Sequence, residues 1–476
     1  MLEDELKDVW SQVDARRQPY IELSDRIWSY AELAYKEHRS AADIEAALRA
    51  EGFRVETRVA GIPTAMVGEA GSGGPVIAIL GEYDALPGLS QEAGVARHQP
   101  LPGEGNGHGC GHNLLGSGAL LAASAVKAWL ERTGTPGRVR FYGCPAEEGG
   151  AAKTFMVRAG AFKDVDVALS WHPAPWTGVW EAKSLANTRI DFSFKGRAAH
   201  AASAPHLGRS ALDAVELMNV GVNYMREHMP SDARIHYAYL DAGGIAPNVV
   251  QAHAKVRYLI RATDLQQMNQ LAERVRKIAQ GAALMTETEV QVRVVSAVSN
   301  LLANAPLEQS MHGMMTRLGG GYFDLKDLED AQRFRASVTD QDVESSWKRF
   351  GMPIQHGKLL ADMVVPLEAA TTMAGSTDVG DVSWVVPTVQ ARGATCILGT
   401  PGHSWQLTAQ GKLPMAHKGM VNAAKVIAGT AVEVLVDSAL LAQAKADHAE
   451  RTRKVPYVCP IPEGVEPALD MSGAGE

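Results

Sequence analysis

Runs with helical spacing alternate with short runs that are apolar at every position. Residues 2–35 carry apolar side chains three and four apart, among them Leu6, Val9, Trp10, Val13, Ile21, Ile27 and Trp28, and Pro19 suggests the start of the second of two helices. Ser40 to Ala50 repeats the helical pattern and is closed by Gly52. Strand-like stretches follow at 54–59 and 64–67. VIAIL, residues 76–80, is apolar throughout, as expected of a strand covered on both faces. Asn113 then opens an Ala-rich apolar run that reads as a helix with Asn as its N-cap. RVRFYGC (138–144) predicts a strand, AKTFMVRAG (152–160) a helix and DVALSWHPAP (166–175) another strand. Strands alternating with helices imply a mostly parallel α/β sheet.

Near residue 184 the period changes. TRIDFSFK (188–195) alternates, residues 210–225 have helical spacing, 235–240 and 252–260 read as strands, 266–284 as a helix and 289–295 as a last strand. That order, β-α-β-β-α-β, is the ferredoxin-like arrangement. The chain then returns to the first sheet with RGATCILG (392–399) and an apolar helix from about 416 to 441. The expected division is therefore 1–183 and 299–445 as one catalytic domain, 184–298 as a second α+β domain inserted in it, and 446–476 as a charged, Pro-rich tail with little structure. Residues 319–366 read as exposed helices inserted in the catalytic domain, their charge runs being solvated faces.

Composition narrows the class. A chain of 476 residues, 46% hydrophobic and 21% charged, can bury a substantial core. The formal net charge of −8 gives no reason to expect nucleic acid as a partner. Four cysteines without a CxxC pair argue against a disulfide framework and for a reducing compartment. The N-terminal stretch lacks a basic segment leading into an apolar one, and no uninterrupted apolar run reaches membrane-span length. A cytoplasmic protein without a membrane partner is the expectation.

The chemistry concentrates around GNGHGCGHNLLG, residues 105–116, where His108, Cys110 and His112 alternate with glycines. Glycines permit a tight loop that carries imidazole and thiolate groups to one point, and those are metal-ligand types. Glu82 and Asp84, Glu147 and Glu148, and His172 each stand at or just after the C-terminal end of a predicted strand. In open α/β sheets ligands bind along that edge, so these residues, together with Cys110 and His112, are expected to converge in one crevice. No GxSxG nucleophile elbow is present.

HGCGHNLLG, PAEEGG, SWHP, AAHAASAPHLGRSALDA and PGHSW, in that order from about residue 20 to 440, resemble the M20 metallopeptidases. The resemblance is to their amidohydrolase branch, which includes aminoacylases, indole-acetyl-amino-acid hydrolases and p-aminobenzoyl-glutamate hydrolases. GEYDALPGL and STDVGDVSW are most like the last of these. The resemblance implies a zinc-peptidase-like domain interrupted by a lid and dimerisation domain. It implies Cys110, His112, Glu148, His172 and His403 as ligands of two divalent ions, Mn²⁺ or Zn²⁺, and Glu147 as general base. It further implies that His200 reaches the active site of a partner chain, and that Asn248 and Arg261 hold the substrate carboxylate. Asp84 is expected to orient a ligand histidine. The wider family has HxD where this chain has Glu82-Tyr83-Asp84, which removes one histidine ligand and leaves the filling of one metal position open. His108 is read as a loop histidine without a ligand role, and the roles of Asp378 and Asp381 stay open. The implied activity is metal-dependent cleavage of an N-acyl amino acid, first p-aminobenzoyl-glutamate. Another N-acyl amino acid, an indole-acetyl conjugate, a dipeptide, or a non-catalytic role in a hetero-oligomer is the alternative. A homodimer or a heterodimer with a homologous chain is expected, with hinges near 184 and 298.

Overall fold

A computed structural model describes residues 2–103, 105–180, 183–369 and 375–472. The first half runs α1 (Leu2–Tyr30), α2 (His38–Ala50), β1 (Arg54–Thr57), β2 (Met66–Ser72), β3 (Val76–Glu82), α3 (His112–Thr133), β4 (Gly137–Cys144), α4 (Ala152–Arg158), β5 (Val167–Ala174) and β6 (Gly178–Val179). A second module follows as β7 (Ala186–Lys195), α5 (Ala211–Met225), β8 (Arg234–Asp241), β9 (His253–Ala262), α6 (Leu265–Thr286) and β10 (Glu289–Val298). The return comprises α7 (Ala305–Leu318), α8 (Leu325–Arg335), α9 (Asp340–Arg349), α10 (Val379–Val385), β11 (Thr388–Ala394), α11 (Trp405–Gln410), α12 (Pro414–Val436) and α13 (Ser438–Thr452).

The main sheet has the order β1-β2-β4-β3-β5-β11-β6. Its centre, β4-β3-β5-β11, is parallel, and antiparallel strands close both sides. This is the mostly parallel α/β sheet expected. Every residue of β3 and β11 is buried; β3 is apolar over residues 76–80, whereas β11 alternates, with Thr388, Gln390 and Arg392 on one face. The second module forms its own antiparallel sheet, β10-β7-β9-β8, with a core built on Ile190, Phe192, Val256 and Tyr258 against Met218, Leu271 and Val275 of α5 and α6. Its element order and strand order are ferredoxin-like.

Four local expectations are corrected. Pro19 lies inside one long helix, because the stripe Val13, Tyr20, Leu23 and Ile27 continues across it into the core and tertiary packing outweighs the missing hydrogen bond. The strand expected at 64–67 begins at Met66 and runs to Ser72. The helix expected from 416 to 441 is two, because the Asp437 side chain accepts from the backbone N–H groups of Ala439 and Leu440 and starts α13. The tail is structured over its described part, 446–472, residues 473–476 lying outside the described residues: α13 reaches Thr452, Ile461 is buried, and the Tyr457 hydroxyl donates to Asp381 at 2.9 Å. Helix α12 is long and apolar enough by composition to cross a bilayer, but 72% of its most apolar stretch is buried inside the protein.

Candidate metal centre and active site

The Gly-rich loop is shaped by two close approaches. Gly107 pairs through its backbone with Leu86, and a Cβ on it would lie 2.0 Å from the Leu89 carbonyl oxygen. Gly111 sits at φ +78°, where a Cβ would meet Pro173. That turn starts α3 at His112, with Gly111 rather than Asn113 at the N-cap. Asn113 instead lies buried in the first turn, donating to Ser24 Oγ at 3.0 Å and to the Gly411 carbonyl at 3.2 Å. His108 turns into the core, where its Nε2 lies 3.1 Å from the Ile27 carbonyl and burial lowers its pKa to about 3.

The other side chains meet where the parallel strands end. Ligand atoms of Cys110, His112 and His172 lie within 4.8 Å of one another, and so do those of Cys110, Glu148 and His403. The two groups share the Cys110 sulfur, which lies 3.3 Å from His172 Nε2. His403 Nε2 is 3.4 Å from Glu148. Asp84 holds both sides: one oxygen is 2.9 Å from His112 Nδ1, the other accepts the Glu148 backbone N–H at 2.8 Å. His112 Nε2 is thereby left facing the cluster. It and Glu148 Oε1 are buried atoms without a hydrogen-bond partner among the described residues, a costly arrangement that a cation would relieve. Burial, then His112, lowers the His172 pKa to about 4, keeping its nitrogen in the neutral form that coordinates metal. Ala146 (φ 56°) and His403 (φ 52°) take left-handed backbone conformations that non-glycine residues rarely adopt, and such strain gathers at functional sites.

A cavity of about 630 Å³ opens over the cluster. Cys110, Glu147, Glu148, His172, Arg261 and His403 line it, while Asp84 and His112 lie buried beneath. Arg261 donates to Ser376 Oγ at 3.3 Å. His200 and Asn248 are exposed and do not line this cavity. They stand together elsewhere on the second module, where Ala201 N–H donates to the Asn248 carbonyl and His200 bridges Val249. Helix α9 also lines the cavity, so the segment 319–366 is not merely solvated: Trp347 and Phe350 are buried, and Trp347 packs edge-on against Trp176 with ring centroids 4.8 Å apart.

Residues 78–323 match the model of peptidase family M20/M25/M40. The chain is also 48% identical over 468 residues to one of the subunits of p-aminobenzoyl-glutamate hydrolase from Escherichia coli (strain K12), covering 96% of this chain and 97% of that one. The chain belongs to the M20 family. It is thus a hydrolase of that family. To a different subunit of the same E. coli hydrolase it is 30% identical over 311 residues, covering 61% and 69% of the two chains. A solved M20 structure, a dinuclear metal binding peptidase from Bacillus subtilis, shares the fold at TM-score 0.55 and 17% identity, covering 89% of this chain and 99% of that one.

The least expected feature of this M20 chain is Lys153, fully buried on α4. Its ammonium lies 2.6 Å from Glu82 and 2.6 Å from Asp378. Burial alone would lower the lysine pKa, but Asp378 and Glu82 outweigh it and hold the cation. Glu82 also lies 3.3 Å from His112 Nε2, and with His112 and Glu147 forms a third metal-competent group. Asp378 is thus a charge partner of Lys153, and Asp381 ties Thr154, Ser299 and Tyr457 together. The one signal for Lys153 in the sequence is a lysine in the otherwise uncharged run AKTFMV, in the first turn of the helix. Glu37 is a second residue that sequence reasoning missed: it accepts the Ala146 N–H at 2.9 Å and the Thr64 hydroxyl at 3.0 Å, pinning the loop that carries Glu147. Nothing in its local sequence marks it.

Proposed function

We propose that this chain is a metal-dependent amidohydrolase that cleaves p-aminobenzoyl-glutamate to p-aminobenzoate and glutamate. The observation that carries the reading is the pair of ligand groups sharing Cys110 beside Glu147, in a chain so similar over its whole length to the E. coli hydrolase chain. Cys110, His112 and His172 would hold one divalent ion, Cys110, Glu148 and His403 a second, Mn²⁺ or Zn²⁺. When bound, such ions lower the pKa of a water to about 7 and polarise the scissile carbonyl.

The residues do the rest. Glu147 takes the proton from the attacking water and returns it to the leaving amine, a role worth about 10²–10⁴ in rate. Burial, then the carboxylates of Glu82 and Glu148, raise its pKa well above the usual range, so that it can hold that proton. Asp84 fixes the His112 ring through Nδ1. Arg261 receives the substrate carboxylate, for which the guanidinium fork is suited, and Asn248, which does not line the cavity of its own chain, joins it only from a partner chain. His200 donates to the developing oxyanion of a partner's site, which requires a homodimer or a pairing with a homologous chain. The match to two different chains of one E. coli hydrolase favours the second pairing as an alternative. Retention of Glu147 and all five ligand types favours a catalytic chain over an inert one. The cytoplasm is the proposed compartment, consistent with four free cysteines.

The test is hydrolysis by the purified chain, stripped of metal and reloaded with Mn²⁺ or Zn²⁺, against p-aminobenzoyl-glutamate and a panel of N-acyl amino acids and dipeptides. Metal-dependent glutamate release is expected. Silence on every substrate with metal bound, with and without a homologous partner chain, sinks the reading.

A further inference from the structure

The cavity lining holds two chemically different groups of side chains. Near the Glu147-Glu148 loop stand Arg189 and Arg261, both from the second module. The Arg189 guanidinium sits so close to Gly149 that a Cβ there would collide with it, and Ser296 Oγ donates to the Gly149 carbonyl at 2.6 Å. Beside His172 the surroundings are aromatic. The Trp180 ring lies 5.3 Å from the His172 ring. The Arg392 guanidinium is packed between two rings, 4.3 Å from the centroid of Trp180 and 4.9 Å from that of Phe350. The parallel register of β5 and β11 sets Arg392 opposite His172, which fixes this stack against the candidate metal ligands. Trp180 Nε1 is buried with no hydrogen-bond partner among the described residues. The outer layer comes from the 319–366 segment: Trp347 anchors α9 on Trp176, and Arg349 and Phe350 at its end enter the cavity lining.

We propose that Trp180, backed by Arg392 and Phe350, is the wall that receives the acyl group, and that it selects flat, conjugated acyl groups over small aliphatic ones. This rests on the amidohydrolase reading above. An amide placed over the cluster with its amine-side carboxylate at Arg261 directs its acyl group away from that guanidinium, and the aromatic part of the lining that adjoins the cluster is Trp180, beside His172. A tryptophan held rigid by a stacked guanidinium offers a planar face, and ring-on-ring packing adds to apolar burial. Phe350 is a positioning residue here, acting through Arg392 on the angle of the Trp180 ring. The insertion then contributes to substrate choice, and not to the hydrolytic step.

The experiment compares p-aminobenzoyl-glutamate with N-acetyl-glutamate, which share their amine side, in metal-loaded wild type, Trp180→Leu and Phe350→Leu, each with its metal content measured. The ratio of kcat/KM, aromatic over acetyl, is expected to fall about 10–50-fold in Trp180→Leu and a few-fold in Phe350→Leu. In parallel, calorimetry measures p-aminobenzoate binding, expected to weaken about tenfold or more in Trp180→Leu. An unchanged ratio in both variants with full metal content overturns the proposal, as does unaltered p-aminobenzoate affinity. Wild type inactive on both substrates overturns the reading of function. The wall is then judged by binding alone, and wild type that fails to bind p-aminobenzoate overturns it too.

Discussion

The two modules handle functional side chains in opposite ways. In the parallel sheet β4-β3-β5-β11 all four strands end on the same side, so Glu82, Glu147, Glu148, His172 and the His403 loop gather there though they are far apart in sequence. In the antiparallel sheet β10-β7-β9-β8 neighbouring strands end on opposite sides. Arg261 on β9 therefore reaches the cavity, while His200 and Asn248 stay exposed elsewhere. One topology concentrates chemistry within a chain, and the other distributes it where a second chain can meet it.

The largest expected effect tests the concentrated half. Cys110→Ala removes the one ligand common to both groups, so metal content should fall close to zero and turnover with it. Glu147→Ala should instead keep its metal and lose about 10²–10⁴ in kcat. Metal analysis beside kinetics separates the two, and a fully active Glu147→Ala would break the assignment. Next comes Lys153→Met. It leaves Glu82 and Asp378 buried without their cation, and loss of one partner from such a pair costs about 3–5 kcal/mol. Urea unfolding of the metal-free protein measures this, and a loss below about 1 kcal/mol would mean that the charges are not truly desolvated.

The distributed half is tested by His200→Ala. If His200 serves a partner's oxyanion, kcat should fall about 10²–10³-fold. Mixing His200→Ala with Glu147→Ala should then restore about a quarter of wild-type activity, because a mixed two-fold dimer holds one site with both residues intact. No recovery on mixing, with exchange of protomers demonstrated by light scattering of tagged chains, would place His200 outside the active site. In that case the contrast between the modules would be one of folding only.

These same topologies explain how much is legible in the chain. Apolar runs such as VIAIL locate the parallel strands, and the C-terminal edge rule then places Glu82, Cys110, Glu147, Glu148 and His172 together. Lys153 and Glu37 escape because their meaning comes from partners 225 and 109 residues away, which no local period encodes. The insertion misleads for a related reason. Charged residues dominate α8 and α9, while their anchoring rests on the few buried residues Phe334, Trp347 and Phe350, too sparse to give a periodic signal. Asn113 resembles a cap because its residue type favours one, but the φ of +78° required at the turn selects the glycine two residues before it.

The smallest effect lies elsewhere on the main sheet and calibrates the buried charges against a set with one exposed member, Asp164. Arg140 on β4 binds Asp164 with two hydrogen bonds, at 2.7 and 2.8 Å, and Glu69 on β2 at 2.9 Å. The Arg140 hydrogen bonds lower the Asp164 pKa to about 2, below its ordinary value of 3.8. A depressed carboxyl pKa stabilises the fold above the unfolded value, and that contribution is lost as pH falls from 3.8 towards about 2. Asp164 is 55% exposed, so screening by solvent limits its contribution to under about 1 kcal/mol. Asp164→Asn should thus lower the urea midpoint slightly at about pH 5 and not at about pH 2, and added salt should erase the difference. The Lys153→Met loss should persist in salt, since its charges are shielded from solvent. Equal salt sensitivity in the two variants would mean that water reaches Lys153, and its charge cluster would then differ from that of the exposed Asp164 in geometry but not in dielectric.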